Sequence, residues 1–223
     1  MCAARRTDPP LAQPPARRGA RVRLDLDERR AQLVALGLAA FSERAYDEVS
    51  VDDVARSAGV SKGLLYHYFP TKRDFYVACL REAAKRLLAE TIGACDDDAA
   101  PPLDRVRQGI DAYLDYVVRH ARAFTALFRG GIGSDPQVAA VIEETRSAYV
   151  DRLLDGAELY PLAQARSGSP GLRIALRGWV ALAEAVSLEW VERRELPQAA
   201  LRELLVEMLL AALRAGAALA PST

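Results

Sequence analysis

The chain has 223 residues, 30 Lys+Arg against 30 Asp+Glu, 51% hydrophobic and 27% charged residues. These proportions fit a soluble globular protein of one large domain, or of a small domain joined to a larger one, and exclude a disordered or highly charged chain. The most apolar stretches, Trp179–Val191 and Leu204–Ala220, are broken by Glu184, Glu189, Glu207 and Arg214, so they fall short of the ~20 apolar residues that span a bilayer.

Residues Met1–Leu24 read as a disordered basic arm. Pro9, Pro10, Pro14 and Pro15 oppose helix formation, and six arginines face a single Asp8. The segment lacks the apolar centre of a secretory leader. As an arm it would either be a passive tail or add sequence-independent attraction to phosphates. Residues 1–75 hold 13 Lys+Arg against 10 Asp+Glu, a basic bias compatible with a phosphate partner but too small to establish one.

Helical periodicity begins near Asp27. Leu33, Val34, Leu38 and Phe41 recur at helix spacing, and the helix is expected to end near Arg44. After a link over Ala45–Val49, Ser50 is the N-cap of a short second helix, Val51–Ala58, with Asp52 and Asp53 favourably placed in its first turn. Gly59 suits the left-handed turn that ends it. Ser61 caps a third helix reaching Tyr68, Pro70 stops it, and Thr71 caps a fourth that runs from Lys72 towards Ala94. Further helices are expected over Leu103–Arg119, Ala121–Phe128, Leu172–Arg194 and Gln198–Ala217, with a long helix capped by Asp135 or Ser134 and reaching about Leu159, and loops at Gly130–Ser134 and Pro161–Gly171. Gly130–Ser134 is no phosphate loop, because neither a strand before it nor a Lys-Ser/Thr after it is present. No period-2 alternation suggests a sheet, so the fold class is all-α.

Val51–Phe69 carries the function. Two short helices crossed at a sharp turn form the bihelical unit that reads DNA. Ala55 is small where they touch, and Val54, Ala58, Val60, Leu65 and Tyr68 can knit the pair to the first helix. The solvent side of the third helix carries Ser61, Lys62, Gly63, Tyr66 and His67, short or hydrogen-bonding residues with one positive charge, suited to base edges and phosphates. A helical corner that merely packs is the competing interpretation, and Tyr68 fits either role.

The run Leu33–Leu80 resembles the N-terminal domain of the TetR family of one-component repressors. The shared features are Phe41, Tyr46, the Ser50 cap, the Ala55/Gly59/Val60 turn, Leu65–Tyr66, Phe69 and Lys72. The resemblance implies a homodimer joined through its last two helices, with recognition helices in successive major grooves of a near-palindromic double-stranded operator. It places DNA contacts on Ser50, Val51, Ser61, Lys62, Gly63, Leu64, Tyr66, His67 and Tyr68, with a phosphate contact from Lys72. Beyond the arm at 1–24, it divides the chain into a DNA-binding domain at 25–75 with its helix-turn-helix at 50–69, and a helical ligand-binding and dimerisation domain at 76–217. Two positions depart from the family: Ala45 stands where Gly is usual, and Gly37 where Ala is usual, the latter expected to cost about 0.5–1 kcal/mol.

In the body, Leu172, Leu176, Trp179, Ala183, Val186 and Trp190 form one stripe. Leu201, Leu205, Met208 and Ala212 form another on the last helix, whose other side carries Val206, Leu210 and Leu213. A helix apolar on two sides buries one on its own core and can bury the other on a partner. Tyr113, Tyr116, Phe124, Phe128, Tyr149, Trp179 and Glu184 are the candidates for an effector pocket, although aromatics at helical spacing also fill ordinary cores. An enzyme is not expected. A di-iron bundle needs Glu-x-x-His pairs, which neither His67 nor His120 completes, and no catalytic triad is evident. Cys2, Cys79 and Cys95 lack metal or redox spacing, so no metal or cofactor is expected and a reduced cytoplasmic setting is. The leading functional expectation is a ligand-released repressor; the alternative is an effector-independent regulator or activator of the same fold.

Overall fold

The computed structural model describes residues 18–96, 99–129, 131–157 and 170–218. Nine α-helices lie among them: α1 (Arg18–Glu43), α2 (Val51–Ser57), α3 (Lys62–Tyr68), α4 (Lys72–Gly93), α5 (Pro102–Arg119), α6 (Ala121–Arg129), α7 (Pro136–Ala157), α8 (Pro170–Arg193) and α9 (Gln198–Ala218). Short 3-10 turns at Tyr46–Glu48 and Gly131–Ser134 join α1 to α2 and α6 to α7. No strand is present among the described residues, and no helix among them is long and apolar enough to cross a membrane.

Local chemistry sets the helix ends. Ser50 Oγ accepts from the Asp53 amide (3.3 Å) and Ser61 Oγ from the Leu64 amide (3.1 Å), each satisfying a donor that the first turn leaves free. Thr71 and Asp74 form a reciprocal capping box at the start of α4. Asp135 Oδ1 accepts from the Gln137 amide (2.9 Å) and so opens α7. Gly59 has φ +67°, the conformation that turns the chain between α2 and α3.

Three differences from the sequence expectation stand out. Helix α1 starts at Arg18 rather than near Asp27, so residues 18–24 of the expected basic arm are helical; residues 1–17 lie outside the described part. Most of the expected Pro161–Gly171 loop also lies outside it, although Pro170 and Gly171 already belong to α8. The third concerns Gly37. A Cβ there would stand 2.3 Å from Phe75 Cζ and 2.6 Å from Cys79 Sγ, so glycine lets α1 and α4 approach, and the propensity cost expected at this position is outweighed by packing.

Among the described residues, three clusters make up the interior. The first joins α1–α4, around Leu33, Phe41, Leu65, Phe69 and Phe75, to Val138 and Val141 of α7. The second packs Val150 of α7 against Leu172, Leu176 and Val180 of α8 and Leu209 and Leu213 of α9. The third joins Ile110 and Leu114 of α5 to Ala183, Trp190, Leu201, Leu205 and Val206. Residue 75, the expected domain boundary, therefore falls inside α4, which belongs to both parts.

The stripes assigned to α8 and α9 mostly face inward. Leu201, Leu205, Val206 and Leu213 are all buried within the chain's own core, so the last helix spends both apolar sides there. The apolar surface left uncovered is a different set: Ile174 is 72% exposed and Leu204 40%, flanked by exposed Ala181, Ala185, Ala211 and Ala215.

Candidate nucleic-acid interface and internal cavity

Helices α2 and α3 form the expected bihelical unit. Val54, Ala55, Ala58 and Leu65 are buried, while Val60, Tyr66 and Tyr68 are partly buried against the same core. Ser61, Lys62, Gly63, Leu64 and His67 all lie on the exposed face of α3. A Cβ on Gly63 would meet only Ser61 Oγ, at 3.9 Å, so this point of α3 permits close approach of a partner. Tyr68 lies against both the core and the His67 ring, at 5.8 Å between centroids.

Val51 is the expected contact that does not fit. Its side chain is 6% exposed and belongs to the core, because the first residue of α2 faces inward towards α1. Beside it, Ser50 is half-buried.

The two lysines are held in place. Lys62 Nζ pairs with Asp52 Oδ1 at 2.9 Å across α2 and α3, and that hydrogen-bonded carboxylate holds the lysine's pKa above its ordinary value. Lys72 Nζ donates to Asp47 O (3.2 Å) and lies 4.7 Å from the Tyr46 ring centroid. The Tyr46 ring in turn stacks on Phe41 (6.3 Å) and meets the edge of Tyr76 (5.1 Å). Sequence reasoning missed Asp52 as a partner for Lys62, since ten positions of separation carry no periodic signal.

Behind this head lies a cavity of about 230 Å³. All seven sequence-predicted pocket residues, Tyr113, Tyr116, Phe124, Phe128, Tyr149, Trp179 and Glu184, line it. Leu38, Phe41 and Ser42 of α1 and Tyr76, Cys79 and Leu80 of α4 also line it; their role was not legible, because in sequence they read as core of the head. Tyr113 and Phe124 meet edge-on at 6.5 Å and Phe124 and Phe128 pack at 4.8 Å. Trp179 is oriented by its Nε1–H, which donates to Leu205 O (3.0 Å).

Glu184 is clamped by Arg146, whose Nε reaches both carboxylate oxygens (3.0 and 2.9 Å) and whose Nη2 reaches Oε2 (2.6 Å). That bidentate geometry neutralises the carboxylate on the wall. Burial pushes the Cys79 thiol up to about 12, which keeps it protonated and unreactive. Burial likewise raises Tyr113 and Tyr149 and lowers His120, so all three favour their neutral forms. The cavity can hold an apolar molecule.

Residues 33–79 match the family model of bacterial regulatory proteins of the tetR family, and residues 102–212 that of the tetracyclin repressor-like C-terminal domain. The HTH-type transcriptional activator FasR of Mycolicibacterium smegmatis is 30% identical over 136 residues, covering 60% of this chain; the match spans 60% of the length of FasR. The crystal structure of a tetR-family transcriptional regulator from Streptomyces coelicolor superposes with a TM-score of 0.73 at 32% identity, covering 86% of this chain and 83% of that one. The transcriptional regulator FadR from Bacillus subtilis, solved in complex with stearoyl-CoA, shares the fold at a TM-score of 0.61 and 17% identity over 82% of this chain and 98% of its own.

Proposed function

Because the chain belongs to the TetR family, we propose that it is a sequence-specific DNA-binding transcriptional regulator, acting as a repressor that a small molecule releases from its operator. The observation that carries this reading is the shared wall. Phe41 and Tyr76 line the cavity and also pack against Tyr46 (6.3 and 5.1 Å), the ring beneath Lys72. A molecule filling the cavity touches the residues that hold a phosphate-contact candidate in place.

The DNA contacts are Ser50, Ser61, Lys62, Gly63, Leu64, Tyr66, His67 and Tyr68, with Lys72 on a phosphate. Lys62 exchanges its Asp52 partner for DNA, an exchange that costs little because both side chains are about half exposed (57% and 49%). Two copies of the chain pair isologously through the uncovered face of α8 and α9, with Ile174 and Leu204 as its apolar anchors. This sets the two α3 helices on successive major grooves, ~34–36 Å apart. Effector binding favours the dimer whose heads are wrongly spaced for the operator, with a coupling of ~1–3 kcal/mol.

The cavity argues against an effector-independent regulator. FasR is named an activator, and transcription from the target promoter in vitro, with and without the protein, distinguishes activation from repression. The primary test is fluorescence anisotropy on genomic fragments selected by the purified protein. Binding is expected to weaken steeply and linearly in log salt as phosphate-bound counterions are displaced. A protein that selects no fragment, or whose binding is indifferent to salt, refutes the reading.

A further inference from the structure

Most hydroxyls on the cavity wall find partners within the protein. Ser42 donates to Ala39 O (2.8 Å), Thr145 to Val141 O (2.7 Å) and Tyr116 to Ala83 O (3.1 Å), while Thr91 and Tyr149 pair at 2.8 Å. Tyr113 does not follow them. Its OH is fully buried with no hydrogen-bond partner, and neither has Ser187 Oγ. Ser187 is the hydrogen-bonding neighbour that opposes the burial-driven rise in the Tyr113 pKa, yet the pair falls outside hydrogen-bond geometry. A buried hydroxyl left unpaired is an unfavourable arrangement that a ligand oxygen can relieve.

Charge on the wall is closed off. Glu184 is neutralised by Arg146. Arg152, the cation among the lining residues, reaches out to exposed Asp96 (3.4 Å) and keeps its side chain 30% exposed, which puts its charge at the rim. A charged molecule entering the interior would lose hydration without meeting a free counter-charge.

We infer that the cavity takes an uncharged, mainly apolar molecule carrying one carbonyl or hydroxyl oxygen that accepts a hydrogen bond from Tyr113. The inference rests on the effector-binding reading above and specifies its ligand class. The oxygen fixes the ligand's orientation and the aromatic walls supply the burial. Loss of the oxygen would leave Tyr113 unpaired again, so an alkane of equal length is a poorer ligand than the ketone.

The test uses full-length protein and four matched probes: 1-octanol, 2-octanone, octanoate and octylamine, followed by intrinsic tryptophan fluorescence, to which Trp179 on the wall contributes beside Trp190. The alcohol and the ketone are expected to bind at least tenfold more tightly than the two ions. Tyr113→Phe should weaken 2-octanone about three- to tenfold and melt no lower than the parent, since the lost hydroxyl had no partner. Ser187→Ala should leave 2-octanone affinity unchanged.

Octanoate binding as tightly as 1-octanol overturns the inference and assigns the site to an anion held at Arg152. A Tyr113→Phe protein that melts lower and binds 2-octanone unchanged also overturns it, because the hydroxyl is then satisfied by Ser187 in the free protein. Failure of all four probes does the same. DNA anisotropy read in parallel keeps the two readings apart. Neutral probes that bind without releasing DNA refute the regulatory proposal alone, whereas release by octanoate but not by 2-octanone refutes the ligand class alone.

Discussion

Replacing Gly37 by alanine sets two physical terms against each other. In an isolated helix the change favours folding by about 0.5–1 kcal/mol, because glycine loses more backbone entropy. Here the new methyl would stand 2.3 Å from Phe75 Cζ and 2.6 Å from Cys79 Sγ. Phe75, the nearer of the two, has no room to yield. Phe75 is 0% and Cys79 1% exposed, and Phe75 is wedged between Phe69 (5.0 Å) and Phe41 (5.8 Å). Overpacking of this kind costs about 1–3 kcal/mol, and so confined a site belongs in the upper half of that range. The net expectation is a loss of about 1–2 kcal/mol, or roughly 2–8 °C in Tm for a chain of this size. Thermal melts with and without operator DNA measure it. Operator affinity should fall as well, since Phe75 pushes on Phe69 at the end of α3. A Gly37→Ala protein that melts at or above the parent temperature refutes the close-approach argument and restores the propensity argument.

Three further outcomes follow from single contacts. Lys72→Ala should weaken binding to all DNA sequences alike and reduce the salt slope by about one, whereas Asp52→Asn, which frees Lys62 and removes a negative charge from the interface, should tighten operator binding by up to about fivefold; both are read by anisotropy across salt. Arg146→Ala strands Glu184, whose side chain is only 16% exposed, and should cost about 1–3 kcal/mol in urea unfolding at neutral pH, with Glu184→Gln in the same background recovering part of it. His120 has a pKa lowered from 6.5 by burial first and then by Arg119. The unfolded chain therefore binds this proton more readily, and stability should fall as pH drops below about 6.5 and level off below the folded pKa; His120→Gln should remove that component of the urea-midpoint profile.

The order of helices was legible because each is punctuated locally. Ser50, Ser61 and Thr71 act within three residues of their own positions, and Gly59 needs no long-range partner to take φ +67°. The aromatic pocket was legible for a different reason, since bulky residues at helical spacing on several helices must converge somewhere. Contacts between distant segments left no periodic trace. Lys62 meets Asp52, Arg107 meets Glu203 and Arg146 meets Glu184 only once the helices are packed. The same limit explains Val51 and Gly37. One lies at a helix start that turns inward, the other faces a neighbour that arrives from α4, and neither fact is written in the residues around it. The α9 stripes show the limit of amphipathicity, because a helix apolar on two sides was satisfied by two neighbours in its own chain.

Helix α4 makes head and body one mechanical unit, and Tyr76 is where that can be tested. Adjacent residues divide the work. Phe75 packs under the reading head against Phe69, while Tyr76 faces the cavity and touches both Phe41 (4.9 Å) and Tyr46 (5.1 Å). A ligand that displaces the Tyr76 ring displaces Tyr46, and with it the support of Lys72. Tyr76→Leu keeps an apolar wall but removes the ring edge that meets Tyr46. Coupling is measured as the ratio of ligand affinities for free and operator-bound protein, a quantity that separates communication from binding strength. That ratio should fall at least threefold in Tyr76→Leu, whereas Tyr76→Phe, which retains the ring, should hold it near the parent value. If Tyr76→Leu binds ligand and releases DNA with the parental ratio, the signal does not pass through this ring, and the contacts of α6 with the end of α1, where Arg122 donates to Glu43 O (3.4 Å), become the route to examine.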